Sequence, residues 1–211
     1  IAQINAFALG AQMTNPRAKV YLEWSTLKEQ DIEKRIDEID PNCISGKDII
    51  VPDDNNHFYG VYHRESGGGE QKNLAMPLCH WGKFYEELMR TIMAGNWEQD
   101  NDVEKAINYW WGMPTGVVDV ICSKKLPAGT VRLVNVLKHN YKTGQFHTFT
   151  DQMYAQGHIL KEKKGETLSP EEVIEMDWLA ENIIGRIPKI EELQEQAKPV
   201  LTQQGIETRK G

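Results

Sequence analysis

Segments with the period of a helix alternate with segments with the period of a strand along most of this chain, and that order restricts the fold more than any single motif. Ile4, Phe7, Ala8 and Ala11 recur at helical spacing until Asn15-Pro16 ends them. "AKVYLEW" then places Val20, Leu22 and Trp24 on one face and Tyr21 and Glu23 on the other, the alternation of a strand. "DIEKRIDEID" restores helical spacing through Ile32, Ile36 and Ile39. "CISGKDIIV", "HFYGVYH" and "NLAMPLC" read as strands, with the glycine-rich "RESGGGEQK" as a surface loop between the last two. Residues 81–94 carry Trp81, Phe84, Tyr85, Leu88 and Ile92 at helical intervals.

Further on, "AINYWWG" and "GVVDVIC" are strand-like around Gly112, Pro114 and Gly116, and residues 130–141 predict another helix. "FHTFTDQMYAQGHILKEKKGE" reads as a polar hairpin or extended arm. "SPEEVIEM" carries a full helix-start signature, with Ser169 as cap, Pro170 in the first turn and Glu172 completing a capping box. "DWLAENIIG" is expected to extend that helix, and residues 189–197 to form a last short one. Such an order predicts an α/β fold, a sheet with helices on both faces and ligands beyond the carboxyl ends of its strands.

The 211 residues, 40% of them hydrophobic, are enough for one ordinary domain or two small lobes with a buried core. A net charge of −7 argues against a phosphate-binding surface, so nucleic acid is not an expected partner. Cys43, Cys79 and Cys122 are odd in number and lie in apolar stretches, the pattern of buried free thiols. No run approaches the ~20 apolar residues of a membrane span. The opening "IAQINAFALG" has neither an initiator methionine nor a basic head, so the chain reads as a trimmed or mature piece.

The common catalytic signatures are absent: no Walker loop, no G-x-S-x-G, no H-E-x-x-H and no Cys-x-x-Cys pair. Cys79-His80 has no second pair at zinc spacing, so neither a metal nor a cofactor is expected. Asp48 can accept hydrogen bonds from a ligand or cap a turn, with the two readings level. Asp119 sits among valines as an exposed strand residue or turn anchor, and His63-Arg64 either faces a crevice or forms a solvated pair. Phe7, Tyr62, Trp81, Trp110 and Trp111 can stack on a flat heterocycle or pack in a core. Alternation sends Trp110 and Trp111 to opposite sides, so they share no platform; bracing a hinge is the preferred reading for that pair.

Four segments in order, "INAFALGAQMTNPRAKVYLEW", "NLAMPLCHWGKFYEELMRTIMAGNW", "YWWGMPTGVVDV" and "LSPEEVIEMDWLAENIIG", resemble the basic membrane protein family. These are bacterial substrate-binding lipoproteins of ABC importers, purine nucleoside receptors among them. The resemblance runs from Ile4 to about Gly185. It implies a type I periplasmic-binding-protein-like lobe, an open and mostly parallel sheet with helices on both faces, and segments returning toward an N-terminal lobe outside this chain.

On that resemblance residues 1–75 and 113–160 make the C-terminal lobe, 76–112 cross toward the other lobe, and 161–211 form a helical extension and tail. The implied ligand set is Phe7, Ser45, Asp48, Tyr62, His80, Trp81 and Trp110, with Phe7 matching the aromatic that stacks on the purine. Nucleoside receptors carry an acid after "VIGV" where this chain has Tyr62-His63-Arg64 after "FYGV", so a base or other flat ligand is expected as readily as a nucleoside. The implied role is binding without catalysis, with an ABC permease as partner and a lipid anchor at the extracytoplasmic face. The alternative is a cytoplasmic ligand-sensing module, transcriptional or signalling, on the same fold.

Overall fold

The computed structural model describes residues 1–46, 59–66, 71–95 and 112–199, with the side chains of 163 and 164 excepted. Its elements are α1 (Ala2–Thr14), β1 (Val20–Tyr21), α2 (Ile32–Ile39), β2 (Cys43–Ser45), β3 (Val61–Arg64), β4 (Gln71–Cys79), α3 (Trp81–Met93), β5 (Val118–Cys122), α4 (Ala128–Lys142), β6 (Thr150–Ala155), β7 (Ile159–Thr167), α5 (Pro170–Ile174), β8 (Ile183–Ile184) and a 3-10 turn at Ile190–Glu192. The mixed α/β class expected from the alternation is therefore present. Contacts divide the chain into two compact units: residues 1–39 with the chain from His147 onward, and residues 40–146.

In the first unit α1 lies on the segment 176–184. Ala8, Leu179, Ala180 and Ile183 form its buried centre, with Ile4, Val20 and Trp178 packed around them. The fully buried Asn5 fixes the docking by side-chain hydrogen bonds: Nδ2 donates to the Trp178 carbonyl at 2.8 Å and to Met176 Sδ at 3.0 Å, and Oδ1 accepts from Ala180 N at 2.9 Å. Asn182 reciprocates by donating to the Ala8 carbonyl at 2.8 Å. From the other side, Gln156 Nε2 donates to the carbonyls of Ile183 and Gly185, both at 2.9 Å.

These bonds explain why "DWLAENIIG" does not continue α5. The capping box at Ser169 is present, but α5 ends at Ile174. The backbone groups that a longer helix would use are taken by Asn5, by Gln156 and by β8, which pairs in parallel with β1. The expected last helix over 189–197 is likewise reduced to one 3-10 turn. The arm read as a hairpin is one: β6 and β7 pair antiparallel.

The second unit holds a four-stranded sheet in the order β2-β3-β4-β5. Every neighbour pair in it is antiparallel, which corrects the expectation of a mostly parallel sheet among the described residues. Among the described residues only the two-residue β1 and β8 pair in parallel. The parallel sheet was implied by the family resemblance; strand periodicity reports which face is buried and carries no direction.

All three cysteines are free, but Cys43 and Cys79 are exposed and Cys122 is half-buried. The apolar stripe of α3 is split: Trp81, Tyr85 and Ile92 are exposed, whereas Phe84 and Leu88 are half-buried. Asp119, on the sequence an exposed strand residue or a turn anchor, ties β5 to α4. Lys138 Nζ lies 2.6 Å from its carboxylate and donates to the Val120 carbonyl at 3.0 Å.

The hydrogen bond from Lys138 holds the Asp119 carboxyl below the ordinary value of 3.8, aided by the Val120 amide against a partial burial cost. A depressed folded value means the pair contributes fully above the ordinary carboxylate range and is lost as pH falls through the folded value. Asp119→Asn is expected to cost about 1 kcal/mol at neutral pH. Thermal melts should show that gap closing below the ordinary carboxylate range; a gap unchanged in acid contradicts the assignment.

Candidate solute-binding cleft

The residues expected to bind ligand fall in both units. Phe7, on α1 in the first unit, is 38% exposed. In the second unit Ser45 ends β2 opposite Val61, and Tyr62 lies one position on, opposite Ile44. The Tyr62 ring rests against the backbone of Gly46, with Cε1 3.1 Å from where a Cβ would stand. Burial raises the Tyr62 hydroxyl above its usual value, and the Arg64 charge opposes that. Ser45, Gly46 and Tyr62 are thus brought together.

His80 and Trp81 stand further along, just beyond β4. His80 opens α3 through its backbone, donating from N to the Val117 carbonyl at 2.7 Å and accepting from Phe84 N at 3.1 Å. Trp81 is 60% exposed and meets Phe84 edge to face at 5.9 Å. Asp48, Trp110 and Trp111 lie outside the described residues. His63 is half-buried in β3, an inner strand of the sheet, and its Nδ1 is buried without a hydrogen bond among the described residues. Among the described residues no group of three or more His, Cys, Asp or Glu is placed to hold a metal.

Among the described residues a further cleft lies wholly within the first unit. It encloses about 250 Å³ and is lined by residues that follow directly on β1 and β8, among them Glu23, Trp24, Gly185 and Arg186, with Arg35 from α2. β1 and β8 run parallel, so the cleft opens outside the carboxyl ends of two parallel strands, the position where α/β sheets hold ligands. The volume is below the roughly 300–1,000 Å³ of pockets for drug-sized molecules and suits a single flat ring system.

Its chemistry is polar and aromatic. The Trp24 indole is fixed by Nε1 donating to the Arg186 carbonyl at 2.8 Å. Glu23 accepts from Arg35 Nη2 at 3.1 Å and from Gln30, and Arg35 also pairs with Glu38. Gly185, at φ +148, lets the two strand ends approach, since a Cβ there would stand 2.9 Å from Leu22 O. Trp24 was read only as a strand-face residue. The sequence signal that singles it out is the polar run that follows β1, where the apolar alternation stops.

The known proteins this chain matches are solute-binding proteins by name. Over 197 residues, 88% of this chain, it is 24% identical to a purine-binding protein of Brucella abortus. The chain is similar to substrate-binding proteins. A putative ABC transporter glucose-binding protein of Haloferax volcanii is 30% identical over 129 residues, 56% of this chain. Both agree with the resemblance to the basic membrane protein family that the four ordered motifs carry. The chain spans about half the length of the first relative, 54%, and 31% of the second. It matches no protein-family model.

Proposed function

We propose that this chain is part of the solute-binding component of an ABC importer and holds a purine base or nucleoside without transforming it. The observation that carries the proposal is the cleft at the carboxyl ends of β1 and β8, with the Trp24 ring fixed in its wall. An aromatic face suits a purine, because base–aromatic stacking contributes about 1–3 kcal/mol by truncation. The fixed carboxylate and guanidinium of Glu23 and Arg35 add one acceptor and one donor group beside it. The purine-binding relative, matched over most of this chain, supports a purine over a sugar.

In this proposal the partner is an ABC permease, the location is the extracytoplasmic face of a bacterial membrane through a lipid anchor, and residues 76–112 cross between two periplasmic-binding-protein-like lobes. Phe7 supplies a second stacking face, and Ser45, Tyr62, His80 and Trp81 are candidate ligand contacts within the second unit.

Fluorescence titration with adenine, guanine, adenosine and glucose at up to millimolar concentration tests it. Saturable quenching by purines and none by glucose is expected. Trp24→Ala should weaken adenine by about 1–3 kcal/mol, roughly 5- to 150-fold, and Phe7→Ala should weaken it by removing a stacking face. Quenching by glucose alone, or purine affinity indifferent to both substitutions, overturns the proposal.

A further inference from the structure

The loop that lines the cleft after β1 is closed into a ring by the chain that follows β8. Trp24 Nε1 donates to the backbone carbonyl of Arg186 at 2.8 Å. The guanidinium of the same Arg186 grips both carboxylate oxygens of Glu192, with Nη1 donating to Oε2 at 2.6 Å and Nη2 donating to Oε1. Glu192 also accepts from Lys189 N at 2.7 Å, and its backbone carbonyl accepts from Lys28 N at 3.0 Å. Between those points Gln194 N donates to the Thr26 carbonyl at 2.8 Å, and the fully buried Leu193 packs on Leu27. Trp24, Arg186, Glu192 and Lys28 thus form a circuit whose one side is the loop and whose other side is the 186–194 segment.

From this geometry we infer that Glu192 is a positioning residue for the solute cleft: by holding Arg186 it fixes the carbonyl on which the Trp24 indole hangs, and so sets the orientation of the ring offered to a flat ligand. The inference rests on the proposed cleft. Glu192 lines no part of the cleft itself. The Arg186–Glu192 pair lies at the surface, with Arg186 62% and Glu192 36% exposed, and surface ion pairs contribute little to global stability. Its consequence is therefore geometric. Trp24 has two χ angles to settle, and a fixed indole N–H removes most of that freedom before a ligand arrives.

The test is a cycle on the full chain with adenine as probe, combining Glu192→Ala with Trp24→Phe, which keeps an aromatic face and removes the N–H. Glu192→Ala alone is expected to raise the adenine Kd about 3- to 10-fold with little change in the urea midpoint. In the Trp24→Phe background the same change should shift Kd by less than about twofold, because the linkage is already cut. Equal losses in both backgrounds, or no loss in either, overturn the assignment. Exchange of the Trp24 indole proton, followed by NMR without ligand, separates this proposal from the cleft reading. Faster exchange in Glu192→Ala supports the linkage, and unchanged exchange overturns it. Absence of adenine saturation in the unaltered chain counts against the cleft reading, whatever the exchange shows.

Discussion

Asn5→Ala is expected to destabilise the first unit by about 3–4 kcal/mol, most of the stability of a small domain. Asn5 is fully buried, and the methyl group of alanine can neither donate to the Trp178 carbonyl nor accept from Ala180 N. A lost hydrogen bond of ordinary strength removes about 1 kcal/mol, but a buried donor or acceptor left without a partner costs about 1–3 kcal/mol more. Here one of each is stranded, at the seam where α1 meets the segment leading into β8. Asn5→Asp tests the same point differently, because it keeps the acceptor for Ala180 N and places an unpaired charge against the Trp178 carbonyl. Urea unfolding should rank the chain as unaltered above both variants. An alanine variant within about 0.5 kcal/mol of the unaltered chain contradicts the structure of this seam.

Gly60→Ala has the second large effect, about 2–4 kcal/mol, and its cause is backbone geometry. Gly60 has φ +63, and a Cβ there would lie 2.4 Å from the Ala75 carbonyl oxygen and 2.7 Å from Met76 Cα. Both obstacles belong to the β4 backbone, so no rotamer change relieves them. The glycine stands where the β3–β4 register shifts, between Val61 and Tyr62, and its carbonyl accepts from Gly46 N at 2.8 Å beside Ser45. Relief of the clash would separate strands and disturb the Ser45–Tyr62 corner. Gly10→Ala is the matching control. It lies inside α1 with nothing within 4 Å of a new Cβ, and should stabilise by about 0.5–1 kcal/mol. Melts in which the two alanines behave alike would contradict both assignments.

Local structure was legible in the residues because its causes are local. α1 stops at Thr14 ahead of Asn15-Pro16, and the Ser169 capping box forms where Ser, Pro and Glu announced it. The β6–β7 hairpin follows the same rule, with Gly157 at φ +76 in its turn. What was not legible depends on pairing over long separations. The parallel union of β1 with β8 joins Val20 to Ile183, and no period within either segment encodes it. The cleft follows from that union: Trp24 and Arg186 are 162 positions apart, and nothing in "LEWST" names its partner. Sheet direction was misjudged for a related reason, since alternating helices and strands accommodate antiparallel neighbours as well as crossovers. The stripe of α3 was legible as a stripe, but not that Trp81, Tyr85 and Ile92 on it stand exposed.

Phe7 and Trp81 stand out in the sequence as candidate stacking residues or core, and both are exposed. Trp24 emerged only from the fold. The cleft around it makes the central claim of the account, that a purine-like solute sits at the carboxyl ends of β1 and β8. An amide and indole NMR titration of the full chain with adenine tests that claim most directly. The account predicts saturable shifts at the Trp24 indole and at the amides of Leu22 and Gly185. A Trp24 signal unmoved at adenine saturation, with shifts confined to residues 40–146, would contradict it.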